Sequence, residues 1–275
     1  MKRRAQAGGF TIIESMIVLA VTGAMFVIAV TAFYGQQERT RFTQGTRDAD
    51  SRITDVANDV TSGFFPETTA WRCSAVANQP PEIRAAGAAQ EQGTNEDCIF
   101  LGKAIQFGPS EAGCSNNCTG ARTVTIAGNR TAGGADVDSL DDAKPVAAPN
   151  NSPYVTPFTF GYGLGVKRVF DQANNSLSGI AFITSLGSFG SGGDPIAGSQ
   201  TAGLYGVTGP VGQTIANFDT AIGAIRESNR ISSATVCFRN DTNANARQAA
   251  LEITEQASGI NTRLIVDSVP LGCNP

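Results

Sequence analysis

The most strongly patterned part of the chain is an apolar stretch near the N-terminus. No charged residue occurs between Glu14 and Glu38, and residues 16–30 are almost all Met, Ile, Val, Leu, Ala or Phe. A helix needs about 20 such residues to cross the hydrocarbon core of a membrane. Residues 2–4 are basic, and basic flanks stay on the cytoplasmic side. The pattern therefore predicts one membrane-spanning helix with a cytoplasmic N-terminus and an exported remainder.

The helical pattern continues beyond residue 36 but becomes amphipathic. Apolar residues now recur at spacings of three, four and seven, at Phe42, Ala49, Ile53, Val56 and Val60. Asp48 and Arg52 form a favourable acid-first pair one turn apart, and Gly63 followed by Pro66 is a helix stop signal. We expect one helix over about residues 10–62, roughly 80 Å long at 1.5 Å per residue, whose second half packs its apolar stripe on a globular domain.

The rest of the chain alternates short β-like runs with Gly, Asn and Pro clusters. Strands are predicted at 98–101, 103–107, 122–127, 155–162, 166–170, 179–186, 235–239, 249–254 and 263–269. Their spacing favours a meandering antiparallel sheet, with hairpin connections at 171–176 and 240–247. Helical spacing of apolar residues predicts a shorter helix over 213–227. Polar and small residues predict long surface loops at 85–96, 128–152 and 188–200.

Composition and charge narrow the possible functions. The chain contains no histidine, which removes histidine-dependent catalytic triads and dyads and the usual zinc ligand. The net charge of -4 does not favour sequence-independent binding to nucleic acid. DNA uptake would need a basic surface, formed only if the fold brings together Arg122, Arg130, Lys167 and Arg168. No acid-base or nucleophilic set converges in the sequence, so we expect neither an enzyme nor a cofactor.

The apolar stretch carries one costly residue near its start. Glu14 places a carboxylate near the start of the apolar run, and a carboxylate at the bilayer centre costs about 2.5–3.5 kcal/mol on insertion scales. It ends the run GGFTIIE at residues 8–14, which follows the basic leader. This run resembles the processing motif of type IV prepilins, with Gly before the cut, Phe after it and Glu four residues further on. The resemblance implies that a prepilin peptidase cleaves between Gly9 and Phe10 on the cytoplasmic side, and that the new amine of Phe10 is N-methylated.

The same resemblance implies a division of the chain and a role for Glu14. Residues 1–9 form the leader, 10–34 the membrane-spanning and filament-core half of the helix, 35–63 its amphipathic half, and 64–275 a β-rich head. In type IV filaments this glutamate meets the N-terminal amine of a neighbouring subunit. A carboxylate about 4 Å from an amine gains roughly 4 kcal/mol at an effective dielectric of 20. We therefore expect Glu14 to set the axial register between subunits.

The implied fold is the α+β pilin fold, a long N-terminal helix packed on an antiparallel β-sheet head. The implied function is that of a structural subunit of a type IV pilus-like filament, and the large head favours a minor pilin. Its partners would be other pilin subunits, the prepilin peptidase, the assembly platform, and the cytoplasmic membrane before assembly at the cell surface. Close alternatives are a pseudopilin of a type II secretion or competence system and a major pilin with an enlarged head. A signal-anchored extracellular binding domain that never polymerises, with its leader retained or cut near Ala32, is the alternative from another class.

Six cysteines lie in the predicted exported part, namely Cys73, Cys98, Cys114, Cys118, Cys237 and Cys273. An even number in an exported domain favours disulfides over free thiols. A zinc site is disfavoured, because the chain has no histidine and no Cys-x-x-Cys pair. Six cysteines allow 15 connectivities, of which we favour 73 with 98, 114 with 118, and 237 with 273. The last would tie the strand predicted at 235–239 to a C-terminal tail that otherwise frays.

One spacing in the head matches a calcium loop. Asp241, Asn243, Asn245 and Glu252 have the ligand offsets of an EF-hand. Ala246 stands where the sharp turn of that loop needs glycine, and the flanking residues are β-like. We therefore expect a polar hairpin loop without a metal.

The aromatic residues of the head fit either an adhesive surface or a core. Aromatic side chains most often fill the interior, where they bury a large apolar area. We expect core packing for Trp71, Tyr154, Phe158, Phe160, Tyr162 and Tyr205.

Overall fold

The structure, a computed structural model, describes residues 11–63, 71–76, 79–85, 97–109, 118–186, 201–240, 247–257, 259–266 and 271–273. The chain divides into two compact units, Met1–Thr43 and Gln44–Pro275. Helix α1, Ile12–Thr61, begins in the first unit and ends in the second. The strands and the other helices belong to the second unit, called the head below.

Helix α1 begins and ends as the sequence predicts, within the described residues. At its start, Thr11 Oγ1 accepts the backbone N–H of Glu14 at 3.3 Å, as the side chain of a helix N-cap does. At its end, Gly63 has a φ of 66°, in the left-handed region that favours glycine, and its N–H donates to the carbonyl of Val60 at 3.1 Å. Between these ends the helix runs for 50 residues without interruption.

The head is built mainly from short strands. In the part of the head that the structure describes, these are β1 Trp71–Val76, β2 Gln79–Ala85, β3 Cys98–Phe107, β4 Gly120–Asn129, β5 Thr131–Ala132, β6 Ala135–Asp136, β7 Val146–Ala147, β8 Val155–Thr159, β9 Leu164–Asp171, β10 Leu177–Thr184, β11 Ala202–Thr208, β12 Ser233–Asn240, β13 Gln248–Gln256 and β14 Gly259–Val266. Helices α2 and α3 span Leu140–Ala143 and Ile215–Gly223, and 3₁₀ helices span Glu227–Asn229 and Leu271–Cys273. The helix predicted over 213–227 is thus confirmed but shorter.

The strands form two main sheets rather than the single meandering sheet that the spacing predicts. Within the described residues, one sheet has the order β11-β10-β3-β4-β7, with β8 also paired to β4, and the other has the order β14-β13-β12-β9. Neighbouring strands in both sheets are antiparallel, as they are in the small β1-β2 and β5-β6 ribbons. The chain is therefore a long apolar N-terminal helix followed by a mostly antiparallel β-domain, the α+β class that the sequence predicts.

The turn at residues 171–176 carries the chain from one sheet to the other. The carboxylate of Asp171 accepts two backbone N–H groups of the turn, at 2.9 and 2.8 Å, which closes it tightly. Beyond a single bridge between Phe170 and Ser176, β9 and β10 separate into different sheets. The prediction of a turn is confirmed, and its interpretation as a hairpin is wrong. By contrast, β12 and β13 pair as antiparallel neighbours, as the hairpin predicted at 240–247 requires.

The predicted surface loop at 128–152 is largely ordered, which corrects that prediction. It contains β5, β6, β7 and α2, and Leu140 of α2 is 1% exposed in the core beneath the first sheet. Small residues such as alanine fill this part of the core, so a polar and small composition does not indicate a free loop here. The other two predicted loops, at 85–96 and 188–200, lie outside the described residues except for Ala85, which ends β2.

The second half of α1 packs its apolar stripe within the head, as predicted. Ala49, Ile53 and Val60 are each 0% exposed. The Asp59 carboxylate of α1 accepts a hydrogen bond from the Lys103 ammonium of β3 at 2.7 Å. Lys103 is only 7% exposed and the Asp59 side chain 40% exposed, so this half-buried ion pair ties the helix to the first sheet at the margin of the core.

Candidate functional site

The first half of α1 exposes apolar side chains along its length. Ile12, Leu19 and Phe26 are 81%, 72% and 69% exposed. An 18-residue window of the helix has a mean hydropathy of 2.5, and none of it is buried. By length and composition this helix can cross a membrane, criteria that a signal sequence also meets. Soluble proteins rarely expose so extensive an apolar surface, so lipid or other protein has to cover it.

The hydroxyl groups of this segment are satisfied by the helix itself. Ser15 Oγ donates to the carbonyl of Ile12 at 2.8 Å, and Thr22 Oγ1 donates to the carbonyl of Val18 at 2.8 Å. Thr31 Oγ1 donates in the same way to a carbonyl one turn back, at 2.9 Å. A polar group without a hydrogen bond costs roughly several kcal/mol in apolar surroundings. Hydroxyl groups that bond to carbonyls of their own helix therefore suit a helix surrounded by hydrocarbon or by other helices.

Glu14 is the ionisable residue of the described part of this segment, residues 11–31. It lies in the first turn of α1, where the partial positive charge of the helix end favours a carboxylate. Its carboxylate has no hydrogen-bond or ion-pair partner among the described residues. Thr11 is a residue that the apolar pattern does not reveal, although the spacing Thr-x-x-Glu is typical of a helix start. The predicted cleavage residues Gly9 and Phe10 lie outside the described residues.

Two of the favoured disulfides are present in the head. Cys73 bonds to Cys98, which joins β1 to β3, and Cys237 bonds to Cys273, which joins β12 to the last described segment of the chain. Their Cα atoms are 6.1 and 5.5 Å apart, within the ordinary range of disulfides. Cys118 is disulfide-bonded as well. Its predicted partner, Cys114, lies outside the described residues.

The C-terminal disulfide is the centre of a small apolar cluster on one face of the second sheet. Cys237 and Cys273 are 2% and 3% exposed there and pack with Ala250. The neighbouring carbonyl of Gly272 accepts a hydrogen bond from Arg168 Nη1 at 2.8 Å. The C-terminal segment is thus held to the sheet by a covalent bond and by a charged hydrogen bond.

Of the four residues with calcium-loop spacing, the structure describes Glu252. Asp241, Asn243 and Asn245 lie outside the described residues. Glu252 lies on β13 directly opposite Arg263 of β14, a cross-strand neighbour of opposite charge. In the part of the chain that the structure describes, no group of three or more His, Cys, Asp and Glu side chains is arranged to hold a metal ion.

Arg122 is buried, which removes it from the basic surface considered for DNA uptake. It is 2% exposed, and its guanidinium donates to the carboxylate of Asp219 on α3 and, at 2.6 Å, to the side-chain oxygen of Gln106 on β3. The Gln106 amide in turn donates to the carbonyl of Gln213 at 2.9 Å. These contacts fasten the start of α3 to the first sheet, so Arg122 has a structural role in the head.

A second cluster of charged side chains lies at the edge of β11 and hydrogen-bonds to its backbone. Glu255 accepts the backbone N–H of Leu204 at 2.9 Å, and the guanidinium of Arg230 donates to both of its carboxylate oxygens. Burial acts to raise the pKa of Glu255, but these donors outweigh burial and hold the pKa below its usual 4.5. Burial and the nearby Glu227 carboxylate, which accepts its hydroxyl at 3.0 Å, raise the pKa of Tyr205. The cluster satisfies an otherwise open strand edge.

Most of the head aromatics pack in or against the core, as predicted. Phe160 and Tyr205 are each 4% exposed, and Tyr154 packs on the core of the first sheet. Phe158 is partly buried and meets Phe160 edge-to-face, with ring centroids 5.4 Å apart. Tyr162 is 53% exposed, so the prediction that it fills the core is wrong.

No protein-family model, no curated protein and no solved structure matches this chain. Its function has to be inferred from its own residues. Any function must explain three features: the exposed apolar half of α1, the Glu14 carboxylate within it, which has no partner in the part of the chain that the structure describes, and a disulfide-bonded β-domain.

Proposed function

We propose that this chain is a structural subunit of a type IV pilus-like filament, a minor pilin that is cut by a prepilin peptidase and assembled through α1. The observation that carries the proposal is Glu14, whose carboxylate has no partner among the described residues and lies in the first turn of an exposed apolar helix that begins two residues after the run GGF. In this role the chain acts by polymerisation and by presenting its head on the cell surface, and not by catalysis.

An exposed apolar helix suits a subunit that exchanges one apolar environment for another. Before assembly, the first half of α1 would lie in the cytoplasmic membrane, with its basic N-terminus on the cytoplasmic side. After assembly, the same surface would pack against the helices of neighbouring subunits. Lipid tails are about as apolar as leucine side chains, so the hydrophobic effect alone does not drive this exchange. A specific polar contact is needed to favour and align the assembled state.

Glu14 supplies a contact of the required kind. Cleavage before Phe10 creates a positive amine, and a carboxylate about 4 Å from an amine gains roughly 4 kcal/mol at an effective dielectric of 20. Leaving a carboxylate unpaired in hydrocarbon also costs free energy, about 2.5–3.5 kcal/mol at the bilayer centre. Pairing Glu14 with the amine of a neighbouring subunit removes that cost, and it does so at one axial position of the neighbour only.

The alternative functions also use the apolar helix, but they differ in whether the helix is cleaved and in the role of Glu14. A pseudopilin of a type II secretion or competence system would use the same cleavage and the same contact, so the abundance of the chain in sheared surface filaments distinguishes it from a minor pilin. A signal-anchored binding domain explains the exposed apolar surface, but it assigns no role to Glu14.

The substitution Glu14→Gln tests the proposal against a matched control. Asp55→Asn removes a carboxylate from an exposed position of the same helix. We expect both variants to be cleaved and retained in the membrane, and Glu14→Gln to reduce the amount of the chain in sheared filaments about tenfold or more, since 1.4 kcal/mol corresponds to a factor of ten. Asp55→Asn should assemble normally. Wild-type incorporation of the Glu14→Gln chain would overturn the proposed role.

A further inference from the structure

Strand β14 forms one edge of the second sheet and has a neighbour, β13, on one side only. The backbone N–H of Glu255 on β13 donates to the carbonyl of Ser232 at 2.9 Å, so Glu255 turns its backbone groups towards β12 and away from its β14 partner, Ile260. Because this direction alternates along an antiparallel strand, every second residue of β14 points its N–H and C=O outwards. These residues are Ile260, Thr262, Leu264 and Val266.

The outward backbone groups of β14 have no hydrogen-bond partner within the described residues. On its inner side, β14 pairs with β13 in a regular register from Gly259 to Val266, and the strand contains neither a bulge nor a proline. Folded proteins normally protect such an edge, because its free N–H and C=O groups attract other extended chains. Strand β14 thus has the form of a site for strand addition.

The other edges of the two main sheets are protected in the part of the chain that the structure describes. At β11, the Glu255 carboxylate accepts the backbone N–H of Leu204. At β9, Val166 and Cys118 exchange two backbone hydrogen bonds, at 2.9 and 3.2 Å. At the far side of the first sheet, β7 has only two residues and β8 contains Pro157. Among these edges, β14 is the long and regular one that stays open.

The two faces of β14 differ in chemistry. The face towards α1 is marked by a contact of 3.4 Å between Thr54 Oγ1 and Thr262 Oγ1, and its other side chains are apolar. Three of these apolar side chains are only partly buried, namely Ile260, Leu264 and Val266. On the opposite face, Arg263 is exposed and forms no ion pair with any described residue, including Glu252 opposite it on β13. A strand added to the edge would cover the apolar side chains and lie beside Arg263.

Charge decides which kind of chain fits this edge. If β14 paired with the β14 of a second copy in the two-fold register that uses every outward residue, Ile260 would lie opposite Val266 and Arg263 opposite Arg263. Like charges directly opposite each other destabilise a strand pair. An acidic residue at that position would instead attract Arg263. The edge therefore favours a segment of a different chain over a second copy of this one.

We propose that the open edge of β14 binds an extended segment of another protein by strand addition. The segment has apolar side chains at alternate positions, which cover the apolar face of β14, and an acidic residue between them that pairs with Arg263. Hydrogen bonds to the outward backbone groups supply affinity, and the alternating side chains supply specificity. The inference goes beyond the proposed function and does not depend on polymerisation through α1.

The chain itself supplies a probe of this chemistry. Strand β13 pairs with the inner side of β14, with Leu251 opposite Leu264 and Glu252 opposite Arg263. A fluorescent synthetic peptide of the β13 sequence, Gln248–Gln256, therefore offers the same pairs to the open side. The peptide is titrated with the full-length chain in lipid nanodiscs, and binding is followed by fluorescence anisotropy. The same peptide with the substitution Glu252→Lys is the matched control.

Reversal of one charge in the chain tests the predicted pair. We expect saturable binding of the β13 peptide and about fivefold weaker binding of the lysine peptide. Arg263→Glu in the chain should reverse this preference. Arg84→Glu, a charge reversal at another exposed strand residue, should leave the preference as it is. Absence of saturable binding, or a preference that Arg263→Glu does not reverse, would overturn the inference.

Hydrogen exchange of the full-length chain locates the bound peptide. With peptide bound, exchange should slow at the outward amides of β14, while the amides already paired with β13 should not change. Protection of a different strand would overturn the inference. Protection of the outward amides without peptide, as the concentration of the chain rises, would also overturn it, because a second copy would then occupy the edge.

A proline on the open side tests the backbone contact. Thr262→Pro removes an outward N–H and no hydrogen bond to β13. We expect it to weaken peptide binding about tenfold or more, with the thermal midpoint of the head within about 2 °C of the wild type. Wild-type peptide binding by this variant would contradict the inference. If Thr262→Pro unfolds the head, the charge reversal at Arg263 still decides.

Discussion

The two halves of α1 contain similar apolar residues in opposite surroundings. In the first half, Ile17 is 60% exposed, and in the second half, Ile53 is 0% exposed. The second half finds its partners among the strands of the same chain. The first half has to find them outside the chain, in lipid or in other subunits. Residue type therefore does not decide what an apolar side chain of this helix contributes; the position along the helix does.

This comparison separates folding from assembly. Apolar residues in the second half of α1 contribute to the stability of the head, whereas those in the first half are the ones we propose for anchoring and subunit contact. Substitutions in the two halves should consequently affect different measurements.

The same substitution in the two halves should give opposite results. Ile53→Ala leaves a cavity in the head and should lower its free energy of unfolding by about 4 kcal/mol. Ile17→Ala should leave that free energy unchanged. Urea unfolding of the detergent-solubilised chain, followed by the fluorescence of Trp71, the single tryptophan, measures both. Equal losses of unfolding free energy in the two variants would contradict the separate roles of the two halves of α1.

The C-terminal disulfide should affect the stability of the head and leave membrane retention unchanged. The double substitution Cys237→Ala and Cys273→Ala opens a bond across a sequence separation of 36 residues and should cost about 3 kcal/mol of unfolding free energy. Membrane retention through the first half of α1 should not change. Urea unfolding and fractionation of membranes report the two quantities, and a loss of membrane retention would show that anchoring depends on the fold of the head.

Burial should also separate two ion pairs within the head. Asp219→Asn weakens the contact with the buried Arg122 and should cost about 2 kcal/mol, because a buried charge loses its partner. Asp141→Asn removes an exposed pair with Arg226 and should cost at most about 0.5 kcal/mol. Thermal unfolding of the two variants measures the difference. Similar costs would mean that burial does not set the strength of these contacts.

The smallest effect is a pH dependence carried by Glu255. Its pKa is lower in the folded head than the usual 4.5, so its contribution to stability is present above that value and is lost as the pH falls through the folded value. Glu255→Gln should therefore lose less stability than the wild type between about pH 5 and pH 3. Glu14→Gln, which changes the first half of α1, should leave the acid unfolding of the head as it is in the wild type.

Local signals in the sequence predict the elements that depend on local physics. The period of the apolar residues and the glycine at residue 63 predict α1 and its end, and the Asp171 turn is predicted by its polar residues. Pairing between strands depends on distant residues, and the division into two sheets was therefore not predictable. Strand β11 is hidden by its glycines, because Gly203 and Gly206 weaken the strand pattern in the sequence although both residues lie within the strand.

The same distinction between local and long-range signals applies to Glu14 and Tyr162. Glu14 stands out in the sequence because one charge interrupts an apolar run, which is a local signal. Tyr162 does not stand out, because its exposure appears only once the corner between β8 and β9 is folded. The tripeptide Gly-Tyr-Gly at residues 161–163 marks a turn, but it does not show that the aromatic side chain is exposed.

The mass of the mature N-terminal peptide tests the central claim most directly. The chain is isolated from cells with and without a prepilin peptidase, and its N-terminal peptide is identified by mass spectrometry. The account predicts a peptide that begins at Phe10 and carries one added methyl group when the peptidase is present, and an uncut leader when it is absent. A peptide that begins at Met1 in both cases, or just after Ala32, would contradict the account and leave Glu14 without its proposed role.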